Sequence, residues 1–255
     1  MGRTRLIGIA LLVLLAACGN SSPTPADPRV LVRQGVEATL TAGTFHLSVA
    51  LDGTLKPGDT GAALSLDGTT VEADVDVAAT ATHATFGVPP LLGLSGEVIV
   101  IGADAYLQSS LTGPNWVHTR VAAGDTLGPL TNPAAALGTV EGLLDTGGVE
   151  LVTRELTDCD GAPCRHVEMA IPAQQLSGLA ALSGGLIPPG TLADGLVLDL
   201  YLHESTGRLV EVSTRIDSAT TGTLSLRAVI GSFGEAVQVS APPAADVQEG
   251  SGLPF

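Results

Sequence analysis

The chain has 255 residues, with 26 acidic side chains against 11 basic ones and a net charge of −15. A surface this acidic repels nucleic acid and bare anionic headgroups, which excludes nucleic-acid binding and charge-driven attachment to a membrane. Hydrophobic residues make up 45% of the chain but aromatic residues only 3%, so any ligand surface is aliphatic. Such a surface suits alkyl chains better than sugars or heterocycles, which call for aromatic platforms and convergent polar groups.

Arg3 and Arg5 precede an uncharged apolar run over residues 6–17. A bilayer span needs about 20 apolar residues, so this run reads as the core of a secretory signal over 1–17 rather than as an anchor. The order Leu15-Ala16-Ala17-Cys18-Gly19 resembles the lipobox of bacterial lipoproteins. That resemblance implies that the Cys18 thiol takes a diacylglyceryl group and that cleavage makes Cys18 the first residue. The alternative is an ordinary signal cut after Ala17, with Cys18 incidental. Cleavage removes Arg3 and Arg5 and leaves nine basic residues against 26 acidic, a net charge of −17. One lipid chain holds a protein only marginally and two or more hold it stably, so a lipidated Cys18 predicts the extracytoplasmic face of the cell membrane. Residues 18–27, rich in Ser, Pro and Thr, read as a flexible tether.

A single domain is expected over 28–243, with a disordered tail over 244–255. Asp27-Pro28 suits a helix N-cap followed by proline at the first helical position, so a helix is predicted over 30–43 with Val32, Val36 and Leu40 on one stripe. Phe45, Leu47, Val49 and Leu51 then alternate with polar residues, and so do Val71, Val75 and Val77 with Glu72, Asp74 and Asp76. These acids read as the outer face of a strand; a calcium loop would need a glycine bend and a closing glutamate. A hairpin is predicted around Gly102, and an edge segment at 114–118. A second helix is expected over 134–147, strands near 149–157 and 165–171, and a third helix over 173–182. The apolar loop 186–192 follows. Leu196, Leu198, Leu200 and Leu202 alternate with Val197, Asp199, Tyr201 and His203 in a strand, and two further strands close the domain. Three amphipathic helices against a long antiparallel meander predict an α+β fold, one curved sheet with helices on its concave side.

Cys159 and Cys164 flank Asp160-Gly161 and Pro163, which is turn chemistry. Outside the cytoplasm this spacing reads as a disulfide at a hairpin tip. A metal site with His166 would lack a fourth ligand, and the spacing is not that of a redox pair. The usual serine-hydrolase elbow, phosphate loop and zinc-protease helix are all missing, and Asp199, His203 and Glu204 do not share one strand face. The sequence therefore predicts no enzyme, no metal and no cofactor.

Three stretches carry a family resemblance. They are Thr44-Phe45-His46-Leu47-Ser48, then Gly102-Ala103-Asp104-Ala105-Tyr106-Leu107 ahead of Trp116, and Ile230-Gly231-Ser232-Phe233-Gly234-Glu235-Ala236-Val237-Gln238-Val239 running into Ala241-Pro242-Pro243. With the lipobox and the helix order, the chain resembles the LppX/LprA/LprF/LprG lipoproteins of actinobacterial envelopes over nearly all of 28–243. The Cys159–Cys164 pair and the single lysine, Lys56, depart from that pattern. The resemblance implies a strongly curved half-barrel whose concave face and helices enclose an apolar cavity for acyl chains of envelope lipids or glycolipids. The expected cavity lining is Phe45, Leu47, Val49, Leu51, Val71, Val75, Val77, Leu196, Leu198, Leu200 and Leu202, with 186–192 as a candidate mouth. The expected partners are an acylated lipid or glycolipid, the membrane through Cys18, and an export-machinery component; a monomer is expected. The competing expectation is a non-catalytic structural or adhesion module with a filled core.

Overall fold

The computed structural model describes residues 27–56, 63–91, 93–121, 133–176, 195–218 and 222–250. The signal, Cys18, most of the tether, loop 186–192 and most of the predicted third helix lie outside the described residues.

Helix α1 spans Pro28–Thr41. Asp27 caps it by accepting from the Arg29 N–H at 2.9 Å, and proline occupies the first position, where no N–H is needed. The stripe predicted from spacing is the buried one: Val32 and Val36 are fully covered and Leu40 packs at its end. Gly35 lies on the same side, and a Cβ there would run into Leu202, so glycine sets the closeness of helix and sheet. Thr39 is buried with its hydroxyl satisfied, accepting from the Leu209 N–H at 3.1 Å and donating to the Leu209 carbonyl. Helix α2 spans Pro133–Leu144. The Arg29 guanidinium donates to the carbonyls of Leu144 and Val149. It thereby places a cation on the negative end of the α2 dipole.

Thirteen strands form one sheet among the described residues. The first seven are β1 (Thr44–Leu55), β2 (Leu64–Ser65), β3 (Thr69–Asp76), β4 (Ala81–Val88), β5 (Leu94–Ile101), β6 (Asp104–Ser109) and β7 (Trp116–Arg120). The rest are β8 (Glu150–Cys159), β9 (Ala162–Ile171), β10 (Leu196–His203), β11 (Leu209–Ser218), β12 (Gly222–Gly231) and β13 (Val247–Glu249). Their spatial order is β13-β7-β6-β5-β4-β3-β1-β12-β11-β10-β9-β8, with β2 paired to the end of β1. Two meanders therefore meet where β1 pairs with β12, from His46↔Gly231 to Leu55↔Gly222. In β8 the register shifts between Thr153 and Leu156, a bulge on the edge strand that carries Arg154 and Glu155. Cys159 and Cys164 form the disulfide at the β8–β9 tip, with Cα atoms 5.9 Å apart.

The half-barrel expectation is overturned. The sheet runs open from β13 to β8, its two edges are not joined, and the β13–β7 pairing is parallel, so the sheet is mixed rather than purely antiparallel. The helix layer consists of two α-helices among the described residues, and where the third was predicted only a 3₁₀ turn, Ala173–Gln175, is described. Short polar strands explain part of the difference: three residues, Val247–Glu249, fall below any periodic signal, yet they extend the sheet from within the segment expected to be a loose tail.

Where β1 and β12 cross, Gly53 and Gly222 have φ values of 129° and 97°, and a Cβ on Gly222 would collide with the Thr54 carbonyl oxygen. Gly222→Ala should cost about 2 kcal/mol or more in a urea melt, because the backbone cannot relax on either side. Replacing both Cys159 and Cys164 by alanine should cost about 2 kcal/mol, the loop-closure value for so short a loop, with the sheet's circular dichroism retained.

Candidate functional site

The cross-strand register defines two faces of opposite chemistry. On one face lie Phe45, Leu47, Val49 and Leu51 of β1, facing Val75, Ala73 and Val71 of β3 and Ile230, Ala228 and Leu226 of β12. The same face continues through Thr82, Ala84 and Phe86 of β4 into Gly96, Val98 and Val100 of β5, and on to Ala105 and Leu107 of β6. On the other side it runs through Val212 and Thr214 of β11 to Leu198 and Leu200 of β10, then Met169 and Val167 of β9. An aliphatic surface therefore extends almost without a break across nine strands, from β6 to β9. Helix α1 makes its main contacts with β8, β10, β11 and α2, at one side of this face.

All eleven residues predicted to line a cavity fall on this face or at its border. Phe45, Val75, Leu196, Leu198, Leu200 and Leu202 are buried within the main apolar cluster, together with Val32, Val36, Leu137 and Leu144 of the helices. Leu47 and Val77 pack partly against that cluster, while Val49, Leu51 and Val71 are half-buried farther along β1 and β3. Val77 sits in the turn after β3 rather than in the strand. A hollow of about 200 Å³ lies between the first turn of α2 and the β3–β4 hairpin, lined by Val75, Val77, Ala81, Thr82, Ala134 and Ala135 among others. That is below the roughly 300–1,000 Å³ of a drug-sized site. A second, open groove of about 490 Å³ between the helices is lined by Arg33, Glu37, Leu40, Thr41 and Glu141. Sequence reasoning missed the β4–β6 part of the face. The run Val98-Ile99-Val100-Ile101 is apolar on both faces and hides its alternation, and Ala84 and Ala105 are too small to stand out. Ala105 and Leu107 are nevertheless fully buried.

The opposite face is polar and carries histidine–carboxylate pairs. His46 bonds Asp74 at 2.8 Å and Glu72 at 3.0 Å, and Ser48 donates to Glu72 at 2.8 Å. Asp76 accepts from the Ala79 N–H in the next turn. The acids of β3 thus serve the sheet surface. His166 bonds Asp199 at 2.7 Å and stacks on Tyr201, whereas His203 bonds Ser205 and Glu204 pairs with Arg165, so Asp199, His203 and Glu204 are not brought together. No group of three or more metal-ligating side chains occurs among the described residues. His118 stands between Asp104 and Glu249, each at 3.0 Å, beside the Tyr106 ring, and so joins β6, β7 and β13.

Two solved structures match this arrangement. The lipoprotein LppX of Mycobacterium tuberculosis is 18% identical with a TM-score of 0.55, over 85% of this chain and all of that one. LprF from Mycobacterium bovis is 15% identical with a TM-score of 0.54, over 84% of this chain and 96% of that one. The fold is that of LppX and LprF. At such identities the likeness to LppX and LprF is one of fold alone. No family model matches the sequence, and no curated protein is significantly similar to it.

Hydrogen bonds that the His118 ring donates to Glu249 and then to Asp104 raise its pKa above the usual imidazole value against a smaller opposing effect of burial, and the His118 bond lowers that of Asp104. A raised folded-state value contributes stability that is complete below the unfolded imidazole value and is lost as pH rises through the folded one. Melting temperature followed from pH 5.5 to 8.5 should therefore fall across that window, and His118→Gln should flatten the fall.

Proposed function

We propose that this chain is a non-catalytic, membrane-tethered lipoprotein that binds the acyl chains of envelope lipids or glycolipids against its apolar sheet face and carries or transfers them. One observation carries the reading. An aliphatic face runs across nine strands, from β6 to β9, while α1 lies mainly over β8, β10 and β11 at one side of it. The half-buried members Leu47, Val49, Leu51, Val71, Val98 and Leu226 keep apolar area that hydrocarbon laid along the face would remove from water, each for a fraction of the roughly 1.5–3 kcal/mol of full burial. The fold shared with LppX, which is described as a lipoprotein, supports the tether, and the lipobox-like run Leu15-Ala16-Ala17-Cys18-Gly19 supports an anchor at Cys18. The absence of aromatic platforms and of metal-ligating clusters among the described residues fits a carrier of alkyl chains rather than an enzyme.

A second reading is a tethered interaction module with a solid interior. It is favoured by the complete burial of Val167, Met169 and Leu200 under the helices.

Native mass spectrometry separates the two. Full-length protein from a lipoprotein-processing bacterial host, extracted in mild detergent, should carry a covalent diacylglyceryl mass at Cys18 and a noncovalently held acylated lipid. Val98 lies half-buried in the middle of the β4–β6 part of the face. Val98→Asp should lower the copurifying lipid several-fold, since a carboxylate resists desolvation. A lipid-free protein would leave the interaction module.

A further inference from the structure

The connections β4–β5 and β6–β7 lie side by side at one end of the sheet. Val88 pairs with Leu94 across the first, Gly96 pairs with Ser109 between them, and the Ser110 N–H donates to the Ser95 carbonyl at 2.8 Å. No charged residue occurs from Phe86 to Gly96 or from Gln108 to Pro114, in a chain whose net charge is −15. The turns nevertheless expose large apolar side chains: Leu111 is 73% exposed and Leu91 40%.

Neither leucine sits on a loose loop. The Leu91 N–H donates to the Val88 carbonyl at 3.0 Å and the Leu94 N–H to the Leu91 carbonyl at 2.9 Å. Ser109 and Thr112 close the second turn through their hydroxyls, and Gln108 donates to the Pro114 carbonyl. Two leucines held exposed on preformed turns gain free energy when apolar surroundings cover them, with no further ordering of the turns to offset it.

The chain enters the domain at the same end. Arg29, in the first turn of α1, bonds the carbonyl of Val149, the residue before β8. β8 starts at the end of the sheet where β9 finishes and β10 begins. From there the register β10–β11–β12–β1–β3–β4 leads to the uncharged turns without changing ends. Two more of the exposed large hydrophobics, Val30 and Val197, stand at this end, near the starts of α1 and β10. Eight residues separate Cys18 from Asp27, a reach of at most about 30 Å, so a lipid at Cys18 holds this end toward the bilayer.

We infer that the turns carrying Leu91 and Leu111 form a membrane-facing tip whose leucines enter the interface of the bilayer to which the chain is tethered. The inference rests on the Cys18 anchor of the proposed function but not on lipid carriage. The uncharged turns let an acidic protein approach anionic headgroups without the repulsion its other surfaces meet. Two leucines supply a weak, reversible contact, and the anchor raises its effective concentration. The tip also brings the β4–β6 part of the apolar face, with Phe86 and Gly96 at its border, next to the acyl chains.

The test uses full-length protein reconstituted in vesicles of phosphatidylethanolamine and phosphatidylglycerol, part of it brominated on the acyl chains. Leu111→Trp adds a reporter at the tip and Thr206→Trp adds one in the exposed turn between β10 and β11 at the opposite end; wild type, with Trp116 alone, is the baseline. Tryptophan at 111 should be blue-shifted and quenched by the brominated lipid, tryptophan at 206 should not, and adding Leu91→Asp to Leu111→Trp should reduce the quenching several-fold. Equal quenching at both ends, or none at 111 in protein that floats with the vesicles, overturns the tip. Crosslinking of position 111 to another protein without lipid quenching also overturns it, in favour of a protein partner. Failure to float at all would instead count against the anchor.

Discussion

The ladder between β1 and β12 is the constraint on which the molecule depends. It joins a strand near the start of the domain to one nearly two hundred residues later, over ten consecutive residue pairs from His46↔Gly231 to Leu55↔Gly222. Without it the two meanders would be separate sheets with raw edges. With it, Leu47, Ile230 and their neighbours become one surface, and α1, which immediately precedes β1, is drawn over β10 and β11. Closing so long a loop carries a large entropic cost before any contact repays it, which marks this pairing as a late and slow event in folding.

Much of the architecture was legible in the sequence because its period was clean. The cap at Asp27, the stripe of Val32 and Val36, the alternation of β1, β3 and β10 and the disulfide tip all follow from local chemistry that tertiary contacts did not override. What escaped was non-local. No spacing says that β1 must lie beside β12, and nothing in Val247-Gln248-Glu249 announces a parallel partner for Trp116–His118. A curved sheet was read from the pattern of helices and meander and its half-barrel form from the resemblance, and that expectation failed against an open, mixed sheet. Of the candidate site, the aliphatic side chains of β1 and β10 could be named in advance, whereas Ala84, Val98 and Leu107 needed the register. The histidines looked scattered because His46, His83, His118 and His166 each find a carboxylate on another strand.

The two faces divide the labour of the sheet. Cross-strand ion pairs such as Arg227–Glu211 and Arg154–Glu168 occupy the polar side, where solvent screening keeps each contribution small. Stability therefore comes mainly from the apolar side, beneath the helices, where Leu200, Val167 and Met169 are completely covered. The part of that side running toward β6 is built from smaller residues and lies away from the main helix contacts, so the chain's rigid support and its aliphatic reserve occupy different strands of one sheet.

Both margins of the sheet are blunted. At one margin the last strand is three residues long; at the other, β8 is bulged between Thr153 and Leu156 and studded with Arg154 and Glu155. Neither offers a straight run of free amides on which a neighbouring molecule could continue the ladder. Copies of the chain lying side by side thus avoid zipping into fibres, even though each exposes the ends of a thirteen-strand sheet.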